Sequence, residues 1–349
     1  MHTLTADHRA ALRAYLSDRL PGFEGPLTIE AFQGGQSNPT YRLRTPMASW
    51  VMRSKPAPAA RLMPSAHAIE REFRVMAALR GTPVPVPSMA LLCEDEAVIG
   101  RAFYVMEFVD GRVLWEPGLP GFAPAERARL YDDMNGVIAA LHALDPTAVG
   151  LADYGRPGNY FERQIARWRK QYEASITIPI PEMDRLAAWL PDHLPATARD
   201  DRRVSIVHGD YRIDNLMFHP TEPRAVALLD WELSTLGHPL ADFSYHCMAW
   251  HIEPALFRGL AGVDLESLGI PDEETYLRQY CERSGRTDLD AVLNDWDFYL
   301  AYNLFRMAGI VQGIGKRIED GTATHPEARR AAATARPLAQ MGWRIAQRG

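Results

Sequence analysis

The segment VHGDYRIDNLMF, residues 207–218, and the shorter ALLDWE, residues 227–232, decide the fold of this chain. Both join polar residues to short apolar runs, which predicts a β-hairpin with polar side chains at its open end. Asp210 and Asn215 can face one site from a short loop, and Asp230 at a strand end can point at the same site. A carboxylate that accepts a hydroxyl proton, together with oxygen ligands for Mg²⁺, meets the needs of phosphoryl transfer. We therefore predict that Asp210 is catalytic and that Asn215 and Asp230 bind the metal.

The composition is that of a globular protein long enough for two lobes, with 349 residues of which 47% are apolar and 23% charged. Lys and Arg number 38 against 44 Asp and Glu, a formal charge of -6, which argues against nucleic acid as a partner. The three cysteines form no CxxC pair, and no apolar run reaches the ~20 residues of a membrane span. The first residues lack the apolar core of a signal peptide. We expect a cytoplasmic protein without a membrane or nucleic-acid partner.

The first third of the sequence is rich in strand patterns and the remainder is mostly helical, which predicts an α+β chain of two lobes. We place the N-lobe at residues 1–110 and the C-lobe at residues 111–349. The predicted strands span residues 27–32, 40–44, 50–55, two pieces within 98–109, 204–207, 216–219 and 225–229. The predicted helices span residues 7–20, 67–80, 127–144, 159–174, 182–194 and 295–318.

Motifs of other enzyme classes are absent from the sequence. No GxxxxGK[ST] exists, which excludes a P-loop NTPase, and no GxGxxG opens a helix after a strand, which excludes a dinucleotide-binding fold. HExxH and GxSxG are also missing, so neither a zinc protease nor a serine hydrolase of the elbow type is indicated.

The combination of HGD at residues 208–210, Asn215, and DWE at residues 230–232 resembles the aminoglycoside phosphotransferase and choline kinase superfamily. The catalytic loop of that superfamily reads HGDxxxxN, where protein kinases have HRDxxxxN. The resemblance implies a bilobed, protein-kinase-like fold with a small β-rich N-lobe and a larger, mostly helical C-lobe. It also implies ATP and Mg²⁺ as cofactors and a small-molecule alcohol as acceptor. By the same resemblance Asp242 braces the catalytic loop, and His208 is an oriented loop residue.

The stretch GGQSNPTYR, residues 34–42, lies between two predicted strands, where such kinases fold a loop over the phosphates. Gly34 and Gly35 permit close approach of the backbone and unusual φ angles. Ser37 and Asn38 offer hydrogen-bond donors at the turn. Because the stretch lacks GxGxxG, the sequence does not define which of its residues contact the phosphates.

The stretch WVMRSKP, residues 50–56, matches the strand that carries the phosphate-pairing cation in such kinases. Strand alternation puts Arg53 and Lys55 on one face, so either could reach the α/β-phosphates, and we favour Arg53. The resemblance places the acidic partner at Glu72, with Glu70 as the alternative. Helix residues two positions apart are rotated by ~200° about the helix axis, so only one of these two acids is expected to face the cleft.

The segment FYVMEFVDG, residues 103–111, resembles the strand and hinge that link the two lobes. Adenine meets backbone groups at this hinge in such kinases, so little side-chain signature is expected. We assign Glu107, Phe108 and Val109 to it.

Charge and a narrower resemblance both bear on the acceptor. The strings NYFERQIARWRKQY, residues 159–172, and ALLDWELSTLGHPLADFSY, residues 227–245, resemble the kinase domain that animals fuse to acyl-CoA dehydrogenases. That group is linked to phosphorylation of the hydroxyl of 4-hydroxyacyl-CoA thioesters. Basic side chains on two predicted helices favour an anionic acceptor, since cationic acceptors call for acidic pockets. They are Arg163, Arg167, Arg169, Lys170, Arg306, Lys316 and Arg317.

Four residues are predicted to contact the acceptor: Arg212, Trp231, Tyr302 and Arg306. Two alternatives to a hydroxyacyl-CoA kinase stay open at this point. One is a kinase for an aminoglycoside or another small alcohol, which an acidic pocket beside the catalytic loop would favour. The other is a nucleotide-binding pseudokinase that acts as an interaction module, against which the intact catalytic and metal residues argue. The sequence leaves the oligomeric state open.

Overall fold

A five-stranded antiparallel sheet forms the first lobe, in a computed structural model that describes residues 4–32, 38–56, 68–200, 203–323 and 327–348. The strands are β1 (Thr28–Ala31), β2 (Thr40–Arg44), β3 (Ser49–Ser54), β4 (Met89–Cys93) and β5 (Phe103–Glu107). Their order across the sheet is β1-β2-β3-β5-β4. The central strand β3 therefore hydrogen-bonds on both sides, to β2 and to β5, which gives it a fixed position in the lobe.

Strand β3 sends its side chains alternately to the two faces of this sheet. Trp50 and Met52 pack on the face covered by helix α1 (Ala6–Ser17). Val51 belongs to the core on the opposite face, which is shared with the second lobe. Because side chains alternate along a strand, Arg53 points to that same face, toward the second lobe.

Helix α2 (Ile69–Leu79) covers the face of the sheet to which Arg53 points. Its buried residues follow a helical repeat and include one acid, Glu72. The apolar members of that repeat, such as Val75 and Met76, pack with Tyr104 of β5 in one core. The helix therefore brings a carboxyl group into an apolar layer beside β3.

The second lobe is built from helices around α10 (Trp296–Glu319), which is buried along most of its first four turns. The other helices are α3 (Pro124–Ala143), α4 (Tyr160–Ala174), α5 (Pro181–Asp192), α6 (Pro239–Cys247), α7 (Leu265–Leu268), α8 (Glu273–Arg283), α9 (Leu289–Asn294), α11 (Glu327–Ala333) and α12 (Ala335–Ala346). Helices α4, α5, α6 and α12 all pack against α10.

Two small antiparallel sheets lie where the lobes meet. One contains β6 (Arg112–Val113), β8 (Leu216–Phe218) and β9 (Ala225–Leu228), and the other pairs β7 (Ser205–Val207) with β10 (Thr235–Gly237). The chain leaves the first sheet after β5 and enters the second lobe at β6. It passes so close there that a Cβ on Gly111 would lie 2.7 Å from the Phe218 carbonyl oxygen.

The structure confirms the two-lobed α+β fold and most of the predicted elements, and it corrects the strands of residues 98–109. Only the second predicted piece is a strand, β5, and its neighbour β4 comes from residues 89–93 instead. Residues 95–100 form a turn because Asp95 accepts a hydrogen bond from the Ala97 amide at 2.9 Å and Gly100 has a φ of 76°.

Helices α6, α8 and α12 were not predicted, although all three contribute to the core. Helix α6 is buried on every side and therefore lacks the one-sided apolar pattern by which helices are found. None of the helices in the described part of the chain combines the length and the apolar character of a bilayer span.

Candidate active site

The loop after β7 is anchored by one buried carboxylate, Asp242 of α6. The backbone amide of His208 donates to Asp242 Oδ2 at 2.6 Å, and the amide of Gly209 donates to Oδ1 at 2.8 Å. Burial favours the neutral acid, but a hydrogen bond and charge from His142 and the contacts with His208 hold the pKa of Asp242 below its usual value. Asp242 therefore fixes the backbone that precedes Asp210.

Gly209 is required by the conformation of this loop. Its φ of 83° lies in the left-handed region, and a Cβ there would come within 2.7 Å of the Leu233 carbonyl oxygen. The loop can therefore turn toward the cleft only because residue 209 has no side chain.

The imidazole of His208 links the loop to the end of β9. The Asp210 amide donates to Nδ1 at 3.2 Å, so Nδ1 is unprotonated and Nε2 carries the hydrogen that reaches the Leu229 carbonyl at 2.8 Å. Since both ring nitrogens are engaged, His208 orients the loop and offers no free base.

The Asp210 carboxylate lies at the mouth of the cleft and is held from three sides. Asn215 Nδ2 donates to Oδ2 at 3.0 Å, the Tyr245 hydroxyl donates to Oδ1 at 2.6 Å, and Arg212 Nε lies 3.5 Å from Oδ1. Burial and the charge of Asp210 raise the pKa of Tyr245, so the phenol stays protonated and acts as a donor. One-fifth of the Asp210 side chain remains exposed, which leaves it accessible to an acceptor.

Asn215 and Asp230 lie next to each other at the open end of the β8–β9 hairpin. The Leu229 amide donates to the Asn215 carbonyl at 2.8 Å, so the register of the hairpin continues up to the residue before Asp230. Asp230 itself has a φ of 65°, in the left-handed region where Asp and Asn are enriched, and more than a third of its side chain is exposed. The predicted metal ligands are thus brought together.

These two side chains fit a metal that arrives with a nucleotide. Asn215 uses its amide nitrogen on Asp210, so its oxygen is directed away from that carboxylate. In the described ranges no three His, Cys, Asp or Glu side chains form a metal cluster. One carboxylate and one amide oxygen are the sparse set of protein ligands with which Mg²⁺ binds when phosphates and water complete its shell.

Arg53 is the cation that contacts the metal-site residues. Its Nη2 lies 2.9 Å from Asp230 Oδ1 and 3.5 Å from Glu232 Oε2, and its Nε lies 3.2 Å from Glu72 Oε2. Burial would lower the pKa of Arg53, but these carboxylates outweigh it and raise the pKa. The guanidinium therefore bridges the small lobe and the hairpin end of the large lobe.

Glu72 is held in place inside the small lobe. Burial raises its pKa, while the charge of Arg53 opposes that shift. Asn38 Nδ2 donates to Oε1 at 2.9 Å and the Tyr104 hydroxyl donates to Oε2 at 3.0 Å. Asn38, predicted as a donor to phosphate, is instead buried beside Glu72, where it orients this carboxyl group.

Lys55 and Glu70 form a separate ion pair, in which each side chain is about one-third exposed. Arg53 of β3 and Lys55, the residue after the strand, therefore use different helix acids, Arg53 the buried one and Lys55 the outer one. Gly34, Gly35 and Ser37 of the predicted phosphate loop lie outside the described residues.

The predicted hinge connects the two lobes. Glu107 ends β5 and its carboxylate accepts from the Ser88 amide at 3.2 Å. The ring of Phe108 lies under the Arg42 guanidinium, 4.0 Å from it, and Val109 is half-buried. Within the described ranges, no residue hydrogen-bonds to the backbone of Phe108 or Val109.

Three of the four predicted acceptor contacts are corrected by the structure. Trp231 and Tyr302 are each 1% exposed, Trp231 against His208 and Tyr302 against Phe161, so neither offers a surface to an acceptor. Arg306 is also buried, and its guanidinium donates to the Gly209 carbonyl at 2.6 Å. It supports the catalytic loop from behind, and Arg212 alone stays at the site.

The basic helices are also less available to a ligand than the sequence indicated. On α4, Arg163 donates to the carbonyls of residues 156–158 and Arg169 pairs with Glu173. On α10, Lys316 pairs with Asp320. The count of positive charges on these helices therefore does not by itself define an anion-binding surface.

Three groups that sequence reasoning missed complete the site. Tyr245, on α6, contacts Asp210 as described above. Asp214 is nearly buried and binds both Arg212, at 3.0 Å, and Arg258. Asp214 could have been suspected from its place in the loop motif, but no sequence pattern singles out Tyr245 or Arg258.

Known proteins resemble this chain along nearly its whole length. Residues 28–290 match the model of the APH family, described as a phosphotransferase enzyme family. Acyl-CoA dehydrogenase family member 10 of Mus musculus is 43% identical over 96% of this chain, and this chain spans 31% of that protein. The chain spans less than half the length of the curated relatives it matches.

Solved structures agree with this result. A Ralstonia eutropha protein provisionally described as an aminoglycoside phosphotransferase is 58% identical, with a TM-score of 0.89 over 97% of this chain and 98% of that one. The GDP complex of aminoglycoside 2'-phosphotransferase-IIIa is 16% identical, with a TM-score of 0.63 over 96% of this chain and 98% of that one, a likeness of fold alone. The predicted kinase-like, bilobed architecture is thus confirmed.

Proposed function

The chain belongs to the APH phosphotransferase enzyme family, and from that premise we propose that it transfers the γ-phosphate of ATP to the hydroxyl of a 4-hydroxyacyl-CoA. The observation that carries the proposal is the convergence of Asp210, Asn215 and Asp230 at one end of a hairpin, beneath the Arg53–Glu72 pair. This is the set of groups that positions a hydroxyl, a metal and a triphosphate in kinases.

In the proposed reaction Asp210 accepts the proton of the acceptor hydroxyl. The oxygen attacks the γ-phosphorus, the bond from that phosphorus to the β–γ bridging oxygen breaks, and its electron pair leaves with ADP. Tyr245 and Asn215 each donate to one oxygen of Asp210, and they hold the carboxylate in a single orientation. This arrangement supports a positioning role for the carboxylate, which suits a reaction in which placement of the hydroxyl matters most.

Asn215 Oδ1 and the Asp230 carboxylate would hold Mg²⁺, which offsets the charge on the phosphates when it is bound. Arg53 would contact the α/β-phosphates from the strand above, since Glu72 fixes its guanidinium. The backbone of Phe108 and Val109 is the proposed place for the adenine ring.

The choice of acceptor rests on two supports. Relatives that cover nearly all of this chain are acyl-CoA dehydrogenase family members. The pocket beside the catalytic loop has one carboxylate among its described lining residues, and two arginines already bind it, so the pocket offers a polycation no free acid. A polyamine antibiotic needs several free carboxylates, so these features support a hydroxyacyl thioester over an aminoglycoside.

ADP release with ATP, Mg²⁺ and a panel of acceptors tests the proposal. We expect turnover with 4-hydroxypentanoyl-CoA and none with kanamycin or choline.

Asp210→Asn should lower kcat by a factor of 10² to 10⁴, because a positioned base is lost, while the Kd for ATP stays within a few-fold. The matched control is Asp192→Asn at an exposed helix end, which should keep wild-type kinetics. Preference for kanamycin would refute the acceptor, and full activity of Asp210→Asn would refute the catalytic assignment. Nucleotide binding without turnover on any acceptor would favour a pseudokinase.

A further inference from the structure

A pocket adjoins two of the side chains that hold Asp210. Arg212 and Tyr245, which both contact the Asp210 carboxylate, also line this pocket. The space in it that the centres of water-sized molecules can occupy is about 50 Å³, against the roughly 10–15 Å³ that one bound water needs. A molecule that fills the pocket can therefore place another of its groups beside the catalytic carboxylate.

The inner wall of the pocket is apolar and adaptable. Three methionines, Met134, Met248 and Met307, come from α3, from the segment after α6 and from α10, and most of the other lining side chains, such as Trp250 and Phe257, are aliphatic or aromatic. Methionine side chains adjust their shape at little cost, which suits a flexible hydrocarbon chain better than a rigid ring system. Burial of such a chain is favourable in proportion to its apolar area.

The polar side of the pocket has two arginines, and both of them bind the same acid. Asp214 is the single carboxylate among the described lining residues, and both Arg212 and Arg258 bind it. An ammonium group entering here would meet two guanidinium groups and no free acid. An anionic or neutral polar group would be tolerated at the same place.

Arg258 is held at the mouth of the pocket in an unusual conformation. Its φ of 26° lies in a region that residues other than glycine rarely adopt, so the surrounding structure must compensate for local strain. Its guanidinium lies 5.0 Å from the ring of Trp115, a tryptophan that is 59% exposed. An exposed aromatic ring beside an arginine gives the mouth a flat surface for the polar part of a ligand.

We propose that this pocket binds the hydrocarbon tail of the acceptor, beyond the carbon that carries the reacting hydroxyl. The hydroxyl then lies at Asp210, the tail lies among Met134, Met248 and Met307, and the thioester end leaves past Arg258 and Trp115. The placement of the hydroxyl rests on the proposed function, whereas tail binding does not require catalysis. The pocket would thus set which chain lengths the enzyme accepts.

Two measurements separate the pocket from the reaction. The first is the Kd of butanoyl-CoA, hexanoyl-CoA and octanoyl-CoA by calorimetry, none of which carries a hydroxyl to phosphorylate. Each added methylene should tighten binding by up to about fourfold until the pocket is filled. The second is kcat/KM for 4-hydroxyacyl-CoAs of five, six and eight carbons, which should rise with length in the same way.

Ala249 is the position at which to fill the pocket. It lines the cavity and is half-buried, so Ala249→Val adds two carbons to its space and Ala249→Leu adds three. Both should weaken the longest chain more than the shortest, by tenfold or more for Ala249→Leu. The matched control is Ala125→Leu, at an exposed position near the start of α3, which should leave the dependence on chain length unchanged.

Binding that is equally tight for all three acyl-CoAs would overturn the proposal, as would equal effects of Ala249→Leu on short and long chains. If thermal melting shows that Ala249→Leu has lost its fold, the dependence on chain length is read from Ala249→Val. Length-dependent binding without any phosphorylation would keep the pocket and refute the proposed reaction. Phosphorylation of the 4-hydroxyacyl-CoAs without any dependence on chain length would support the proposed reaction and refute the role of the pocket.

Discussion

Asp242→Asn tests how the catalytic loop is held, because this substitution changes one atom and leaves the shape of the side chain. The wild-type carboxylate accepts three hydrogen bonds, from the His208 amide, the Gly209 amide and His142 Nε2. An asparagine has one oxygen and one NH₂ group. Its NH₂ group must therefore face at least one of these donors, and no rotation of the side chain avoids that conflict.

The magnitude follows from the number and burial of these bonds. Hydrogen bonds to a charged group contribute about 1.5–3 kcal/mol each, and removal of one partner from a buried ionic network costs about 3–5 kcal/mol. Asparagine keeps one or two bonds in neutral form, so we expect the free energy of unfolding to fall by about 3 kcal/mol. A domain of ordinary stability, about 5–15 kcal/mol, would remain folded. The loop backbone would shift, and kcat should fall at least tenfold because Asp210 follows Gly209 directly.

Urea denaturation and ADP release give the two readouts for Asp242→Asn. The control is Asp272→Asn, in which the N-cap of α8 accepts from the Thr275 amide at 2.7 Å. Asparagine caps helices as well as aspartate, so this variant should stay within about 0.5 kcal/mol of wild type. A loss of less than 1 kcal/mol in Asp242→Asn, with kcat unchanged, would refute the argument that this carboxylate holds the loop.

Three further predictions follow from single contacts. Arg53→Met should weaken binding of ATP with Mg²⁺ at least tenfold by calorimetry, while Lys55→Met, whose side chain lies in an outer ion pair, should change it less than threefold; equal effects would contradict the preference for Arg53. Gly209→Ala should lower the free energy of unfolding by about 2 kcal/mol or more, because it combines a left-handed backbone with a contact to a carbonyl oxygen, whereas Gly136→Ala, in open space on a helix, should stabilise the chain by up to about 1 kcal/mol; similar melting curves for the two would contradict this. Burial lowers the pKa of His238 from 6.5 to about 3, so between these values the unfolded chain binds one more proton, and this stability is complete above pH 6.5 and is lost as the pH falls. His238→Asn should accordingly reduce the slope of unfolding free energy against pH, between pH 5 and 6, by roughly 1 kcal/mol per unit, and an unchanged slope in urea titrations would contradict the assignment.

The parts of the site that lie close together in sequence could be predicted from it. The hairpin of residues 216–228 and its polar ends are local, so the spacing of Asp210, Asn215 and Asp230 was enough to bring them to one place. Strand alternation likewise predicted the face of β3 on which Arg53 lies. These features depend on short-range geometry, which a sequence pattern records directly.

The predictions that failed concern contacts between segments that are far apart in the sequence. Tyr245 lies 35 positions from Asp210, and its hydroxyl reaches that carboxylate only through the packing of α6. Trp231 was expected to face an acceptor because it follows Asp230. The short 3-10 turn after Asp230 instead directs the indole into the core, where its Nε1 donates to the Leu228 carbonyl at 2.9 Å. Adjacent positions can therefore face opposite environments, and only the fold decides which.

The charges around Arg53 bear on the order in which ligands bind. One guanidinium faces the carboxyl groups of Glu72, Asp230 and Glu232, so this end of the cleft carries more negative than positive charge. A free triphosphate would meet like charges here, and a divalent cation bound to it would offset them. Asp230 and Asn215 would hold that cation, and Arg53, which Glu72 keeps oriented, would contact the phosphates. On the proposed function, Arg53 would exchange its contact with Asp230 for the phosphates, so that one arginine would both bridge the lobes and serve the nucleotide.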